Sequence, residues 1–170
     1  YNQTIVADHL YLVSIICPIV RQKCPGRFCL VYTELMERTH HIHEIEPVFD
    51  EHSRVLLLGT FPSPKSRETG FFYGHPHNRM WKVLAAVYGE DVPRVVEERR
   101  AFLLRNRIAM WDVLASCAIK GASDASIRDA IPNDLSRILD VAPIERIFAT
   151  GAKAHELYRR YLEPAYGREC

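Results

Sequence analysis

Apolar positions fall in short clustered runs separated by glycine- and proline-rich punctuation, and the spacing within each run predicts its element. Arg54–Leu58 (RVLLL) is a continuous apolar run that ends at Gly59, the pattern of a buried strand. The GTFPSP that follows reads as a loop at its carboxyl end. From Asn78 to Tyr88 the apolar residues Met80, Trp81, Val83, Leu84 and Val87 recur at helical spacing. A second helix is expected over Pro93–Asn106, with Val95, Val96, Phe102 and Leu103 inward, and a second strand over Ile108–Leu114. Ser126–Ile131 and Asp134–Leu139 read as short helices, with Asn133 or Asp134 capping the latter. A third strand is expected over Ile144–Thr150, and helix returns over Ala152–Tyr161. Strands alternating with helices predict an α/β sandwich with a largely parallel sheet. Ligands of such sheets bind beyond the carboxyl ends of the strands, where GTFPSP, WDVLAS and TGAKA lie.

Composition narrows the class. The 170 residues are 48% hydrophobic and 25% charged, ordinary globular usage that excludes a disordered or fibrous chain. Lys and Arg number 22 against 21 Asp and Glu, so any anion-binding surface must be local. The first 35 residues differ from the rest. Their apolar run, Leu10–Val20, is 11 residues long, too short for a bilayer span of about 20. It has no basic segment ahead of it and no A-x-A site behind it, so neither a secretory leader nor a membrane anchor is expected. Residues 1–35 are therefore expected to be an extension foreign to the domain, which starts near Met36 and reads as cytoplasmic. Three of the five cysteines (Cys17, Cys24, Cys29) lie in that extension, with Cys117 and Cys170 far away. The spacing suits neither a disulfide framework nor a zinc site, and the thiols are expected to be reduced, with no metal bound.

Motifs for common chemistries are absent. GTFPSPKS has Pro64 where a phosphate loop needs glycine before its lysine, and G-x-G-x-x-G, G-x-S-x-G and H-E-x-x-H do not occur. The unusual stretch is Thr69–Trp81 (TGFFYGHPHNRMW). Three consecutive aromatics flanked by glycines read either as a plug at one end of the core or as an aromatic wall for a planar ligand. In the second reading His75, Asn78 and Arg79 supply donors and acceptors. Asn78 stands at a helix start, where it either caps the helix or faces a ligand. Asp112, at the end of the second strand, reads as a pocket group, a cap or a structural hydrogen-bonding residue.

GTFPSPKSRETGFFYGHPHNRMW (Gly59–Trp81) resembles the first motif, and the segment after it, of the uracil-DNA glycosylase superfamily. It is most similar to the hypoxanthine-DNA glycosylase branch, family 6, in which GTFPS occurs with FFYGHP-x-NRFW. WDVLASCAIKGASDASI (Trp111–Ile127), IPNDL (Ile131–Leu135) and FATGAKAHELY (Phe148–Tyr158) extend the resemblance over about residues 44–165. It implies a three-layer α/β/α sandwich around a mostly parallel four-stranded sheet. It also implies a monofunctional, monomeric DNA glycosylase without cofactor or metal, acting on double-stranded DNA that contains deaminated bases, chiefly hypoxanthine. Uracil or xanthine glycosylase activity and a non-catalytic DNA-binding role are the alternatives.

By the resemblance, Asn78 is the catalytic amide. Phe61 stands where most branches carry an acidic or amide residue, and it cannot activate water. Tyr73 matches the aromatic that stacks on the flipped base. Gly59, Thr60 and Phe61 line the pocket through their backbone, with His75 beside them. Ser63, Lys65, Arg67, Arg79 and Lys153 are the expected DNA contacts. Met80 replaces the usual Phe, an apolar swap. The family's second motif, a Ser/Pro-rich loop after a last strand, has no counterpart in Tyr161–Cys170, so the resemblance implies a domain truncated at its C-terminus.

Overall fold

The computed structural model describes residues 39–170. The expected extension over residues 1–35, with its apolar run and its three cysteines, lies outside the described residues.

The three strands read from the sequence form one parallel sheet. Strands β1 (Thr39–Ile42) and β2 (Val55–Gly59) precede α1 (Pro64–Thr69), α2 (Met80–Tyr88) and α3 (Val96–Arg105). Then come β3 (Ile108–Asp112), β4 (Leu114–Ile119) and β5 (Arg128–Pro132). Helix α4 (Ser136–Leu139), β6 (Arg146–Ala149) and α5 (Ala152–Leu157) follow. Helix α5 runs on through a π-turn (Tyr158–Leu162) into α6 (Glu163–Tyr166). The parallel sheet has the order β3-β2-β6, with Gly59 level with Asp112 and Leu58 level with Ala149. A second sheet, β1-β4-β5, contains an antiparallel β4–β5 pair. The arrangement is an α/β sandwich. A fourth parallel strand is not among the described residues.

Every residue of β3 is buried, as expected for the apolar strand of a covered parallel sheet. The core joins Leu56 and Leu58 of β2 to Phe71, Phe72, Trp81, Phe102 and Tyr158.

Four sequence expectations need correction. The strand expected over Ile108–Leu114 is two strands that meet at Val113 and belong to different sheets. At this joint the Val113 and Leu114 N–H groups donate to the Gly59 and Thr60 carbonyls, which leads the chain out of the parallel sheet. The helix expected over Ser126–Ile131 is instead a 3-10 turn (Asp124–Ser126) followed by β5, where pairing with β4 overrides a weak local preference. In α2, Trp81 and Leu84 are buried with Ala85, but Val83 and Val87 face outward at 54% and 71% exposure. In the second helix Val95 is likewise exposed, while Phe102 and Leu103 are buried as expected. Helix α1 was not expected. Its signals are the Ser63 cap, Pro64 in the first turn and Gly70 in the left-handed conformation at its end. No helix among the described residues is long and apolar enough to cross a membrane.

Candidate active site

A cleft of about 170 Å³ opens where the three parallel strands end. Gly59 closes β2, Asp112 closes β3, and Thr150 follows β6. Phe61, Ser63, Tyr73, Asn78 and Asp124 complete much of the wall. The cleft therefore lies at the carboxyl edge of the sheet, as the topology predicts.

The floor is built by close approach. A Cβ on Gly59 would lie 2.1 Å from Asp112 Oδ1 and 3.1 Å from the Tyr73 hydroxyl, so only glycine fits beside these groups. Asp112 is held from two sides. Its carboxylate Oδ2 lies 2.8 Å from His43 Nε2, with side chains only 7% and 1% exposed, and Asn133 Nδ2 donates to its backbone carbonyl at 2.9 Å. Because a carboxylate only accepts, the His43 proton is on Nε2. Phe61, Phe72 and Trp111 surround the His43 ring, with ring centres 5.9–6.2 Å away.

The aromatic triplet divides between the two roles read from its sequence. Phe71 and Phe72 plug the core at 2% exposure each, Phe72 also bordering the cleft, and Tyr73 lines it. Tyr73 has a left-handed backbone, with φ 50°, a conformation costing about 1–2 kcal/mol for a residue with a side chain. The buried phenylalanines before it and a hydrogen-bond chain hold it there. Thr150 Oγ1 donates to the Leu58 carbonyl at 3.1 Å, so the Tyr73 hydroxyl, 2.5 Å away, donates to Thr150. Burial, and next the nearby Asp112 charge, push the Tyr73 hydroxyl far above its ordinary pKa and keep it protonated. The ring is thus a fixed neutral wall.

Asn78 lies beside this wall. Its Oδ1 accepts from the Met80 N–H at 2.8 Å, the capping role anticipated from sequence. That bond fixes which end of the amide is oxygen. The amide nitrogen has no partner among the described residues, leaving a donor at the cleft. The capping contact is thus present, and the free amide nitrogen at the cleft is what the ligand-facing reading requires.

The rim residues fare differently. Ser63 lines the cleft but also accepts the Ser66 N–H to cap α1. Thr60 Oγ1 donates to Asp124 at 2.9 Å, and Phe61 is buried in the core. His75, expected in the base pocket, is exposed and absent from the cleft wall. Its Nδ1 accepts the His77 N–H within the turn, which directs the ring outward. Of the basic residues, Lys65 pairs with Glu68 and Lys153 with Glu156, both one helical turn away. Arg67 donates to the Pro62 carbonyl and lies over the Phe61 ring, so it braces the loop. Arg79 alone of these four has no side-chain partner among the described residues. It borders a second hollow, shared with Tyr73, Asn78 and Thr150.

Sequence reasoning missed His43, Thr150 and Asp124. The signal for Thr150 was its place just after the third parallel strand, at the start of the TGAKA loop. His43 carried none, since a histidine before the first core strand looks like surface. No group of three or more potential metal ligands occurs among the described residues.

The cleft can be set against known proteins. The sequence profile of the uracil DNA glycosylase superfamily matches residues 46–168. A protein named hypoxanthine DNA glycosylase from Methanosarcina barkeri is 35% identical over 112 residues, covering 65% of this chain and 71% of that protein. A protein of the same name from Methanosarcina acetivorans is 33% identical over 111 residues, covering 64% and 70%. The solution NMR structure of a candidate uracil DNA glycosylase from Methanosarcina acetivorans superposes with a TM-score of 0.63 at 32% identity, over 74% of this chain and 78% of that one. With its cleft at the ends of the parallel strands and a profile match across most of its length, the chain belongs to the uracil DNA glycosylase superfamily.

Proposed function

We propose that this protein is a monofunctional DNA glycosylase that removes deaminated purines, chiefly hypoxanthine, from double-stranded DNA, acting as a cytoplasmic monomer. The observation that carries the reading is the pairing of a locked aromatic wall, Tyr73, with the free amide donor of Asn78 in one small cleft. The names of the two Methanosarcina relatives support hypoxanthine as the base.

The chemistry follows from the geometry. A glycosidic bond inside a duplex is out of reach, so the nucleotide must rotate out of the stack. Unstacking costs a few kcal/mol and is least for a mispaired base, which favours deaminated lesions. Stacking on Tyr73 returns about 1–3 kcal/mol, and because the ring is already fixed no ordering is needed when the base arrives. Bond cleavage leaves an oxocarbenium-like sugar and sends electrons into the departing base. The Asn78 Nδ2 group donates to that base as its charge grows. Its oxygen, engaged by Met80, holds the donor in place, and preorganised donors of this kind supply about 2.7–4 kcal/mol. Water then adds to the sugar. Arg79 contacts a backbone phosphate beside the extruded nucleotide.

The test is single-turnover release of hypoxanthine from a deoxyinosine duplex. Asn78→Ala is expected to slow release about 10²- to 10³-fold. Equal rates for wild type and variant would remove Asn78 from the mechanism.

A further inference from the structure

The second hollow beside the cleft has a volume of about 680 Å³ and shares Tyr73, Asn78 and Thr150 with it. Its other walls, among the described residues, are His77, Arg79, Met80 and Val83. Of these four, only Arg79 is engaged by the proposed chemistry. Met80 and Val83 lie on one face of α2, three residues apart, and Val83 is exposed. His77 is braced, because its N–H donates to His75 Nδ1 and the two rings meet edge to face with centres 5.3 Å apart. The border is cationic. Arg79 precedes α2, Lys82 lies in its first turn, and that turn carries no acidic residue. An apolar surface rimmed by positive charge suits a base attached to a phosphate backbone. Whatever fills the hollow lies against Tyr73 and Asn78. A protein segment there would obstruct the entering nucleotide, whereas the next nucleotide of the same strand would arrive with it.

We propose that this hollow is a subsite for the nucleobase next to the extruded nucleotide on the same DNA strand. The assignment rests on the glycosylase reading above and extends it from the lesion to its neighbour. Rotating one nucleotide out of the duplex breaks the stack on both of its sides and leaves the adjoining base with an apolar face open to water. Arg79 holds the phosphate that joins the two nucleotides, and the neighbouring base covers Met80 and Val83. These side chains offer apolar area rather than fixed donors and acceptors. The subsite therefore accepts all four bases and favours the larger purines.

The experiment follows single-turnover release of hypoxanthine from single-stranded oligonucleotides containing one deoxyinosine, over a range of protein concentrations. The nucleotide on the 5′ side, or that on the 3′ side, is replaced by a tetrahydrofuran residue, which keeps the backbone and removes the base. For wild type, the protein concentration giving half the maximal rate is expected to rise about fivefold or more when the base is removed at one flank, and less than about twofold at the other. Comparison with variants cancels the stacking that is intrinsic to the oligonucleotide. Val83→Ser and Met80→Ala should each bring the sensitive flank to less than about twofold, because a base then gains little from the hollow. Val87→Ser, one turn further along α2 and outside the hollow, should keep the wild-type ratio. Val83 and Val87 are both exposed, so the serine variants retain the fold. A wild-type ratio near one at both flanks would overturn the assignment. So would a ratio that survives Val83→Ser, or one that Val87→Ser removes equally. Wild-type protein that releases hypoxanthine from none of the substrates would overturn the glycosylase reading itself, and this assignment with it.

Discussion

The floor and the rim of the cleft are built on opposite terms. On the floor, Gly59, Asp112, His43, Tyr73 and Thr150 fix one another through contacts that reach across the fold. Gly59 leaves room for Asp112, His43 holds Asp112, and Tyr73 donates to Thr150, which donates to Leu58. At the rim, Lys65 and Lys153 sit in short-range helical ion pairs, and His75 turns outward in a local turn. Low-dielectric, over-determined positions suit reading a base and stabilising charge. Solvated rim positions suit a reversible, salt-sensitive grip on a backbone. On the proposed function, floor substitutions are expected to change whether and on what the enzyme acts, and rim substitutions how tightly it binds.

Gly59→Ala should break this comparison most severely. The added methyl group collides with Asp112 Oδ1, which cannot move without losing His43. Destabilisation of about 1–3 kcal/mol in denaturant unfolding is expected, with base release abolished even where the protein remains folded. Tyr73→Phe removes one part-buried hydrogen bond, and a loss of about 1 kcal/mol is expected with stacking retained. Base release should then fall by less than tenfold, and a hundredfold loss would show that the hydroxyl does more than lock the ring. At the rim, Arg79→Ala should weaken binding to duplexes of any sequence and lower the salt slope of log K by about one, read by titration at several salt concentrations. Lys65→Ala and Lys153→Ala should have the smallest effects, because each side chain already pairs with a neighbouring glutamate.

An alkaline titration separates the interior from the rim in another way. Burial raises the Tyr158 hydroxyl to about 12, and that group donates to the Arg168 carbonyl. The folded state therefore holds this proton more tightly than the unfolded chain, in which tyrosine titrates near 10. The stabilisation is fully present below about pH 10 and is lost as pH rises toward 12. Unfolding midpoints should drop over that window, and Tyr158→Phe should flatten the drop.

Legibility in the sequence follows the same division. Strands β2 and β3 could be read because a covered strand is a nearly continuous apolar run, as at Arg54–Leu58, whereas β6, with Arg146 and Phe148 exposed, shows only a short apolar run before Gly151. The break at Val113 could not, since the change of sheet depends on the Gly59 and Thr60 carbonyls, which belong to a distant segment. Val83 and Val87 have helical spacing, but spacing cannot say how wide a face the fold covers, and both point outward. At the site, Gly59, Tyr73 and Asn78 lie in one motif and were read together. His43 and Thr150 enter from segments 16 residues before and 91 residues after Gly59, joined to the floor only by tertiary contacts. His75 looked like a pocket residue because it shares the motif, yet its turn directs it away.

The central claim is that this cleft hydrolyses a glycosidic bond. Wild-type protein incubated with a duplex containing one deoxyinosine, followed by mass spectrometry of the small molecules and of the strand, tests it directly. The account predicts free hypoxanthine in equal amount to an intact strand carrying an abasic site. A duplex that is bound but retains its base would contradict it, and so would a strand cut without release of the base.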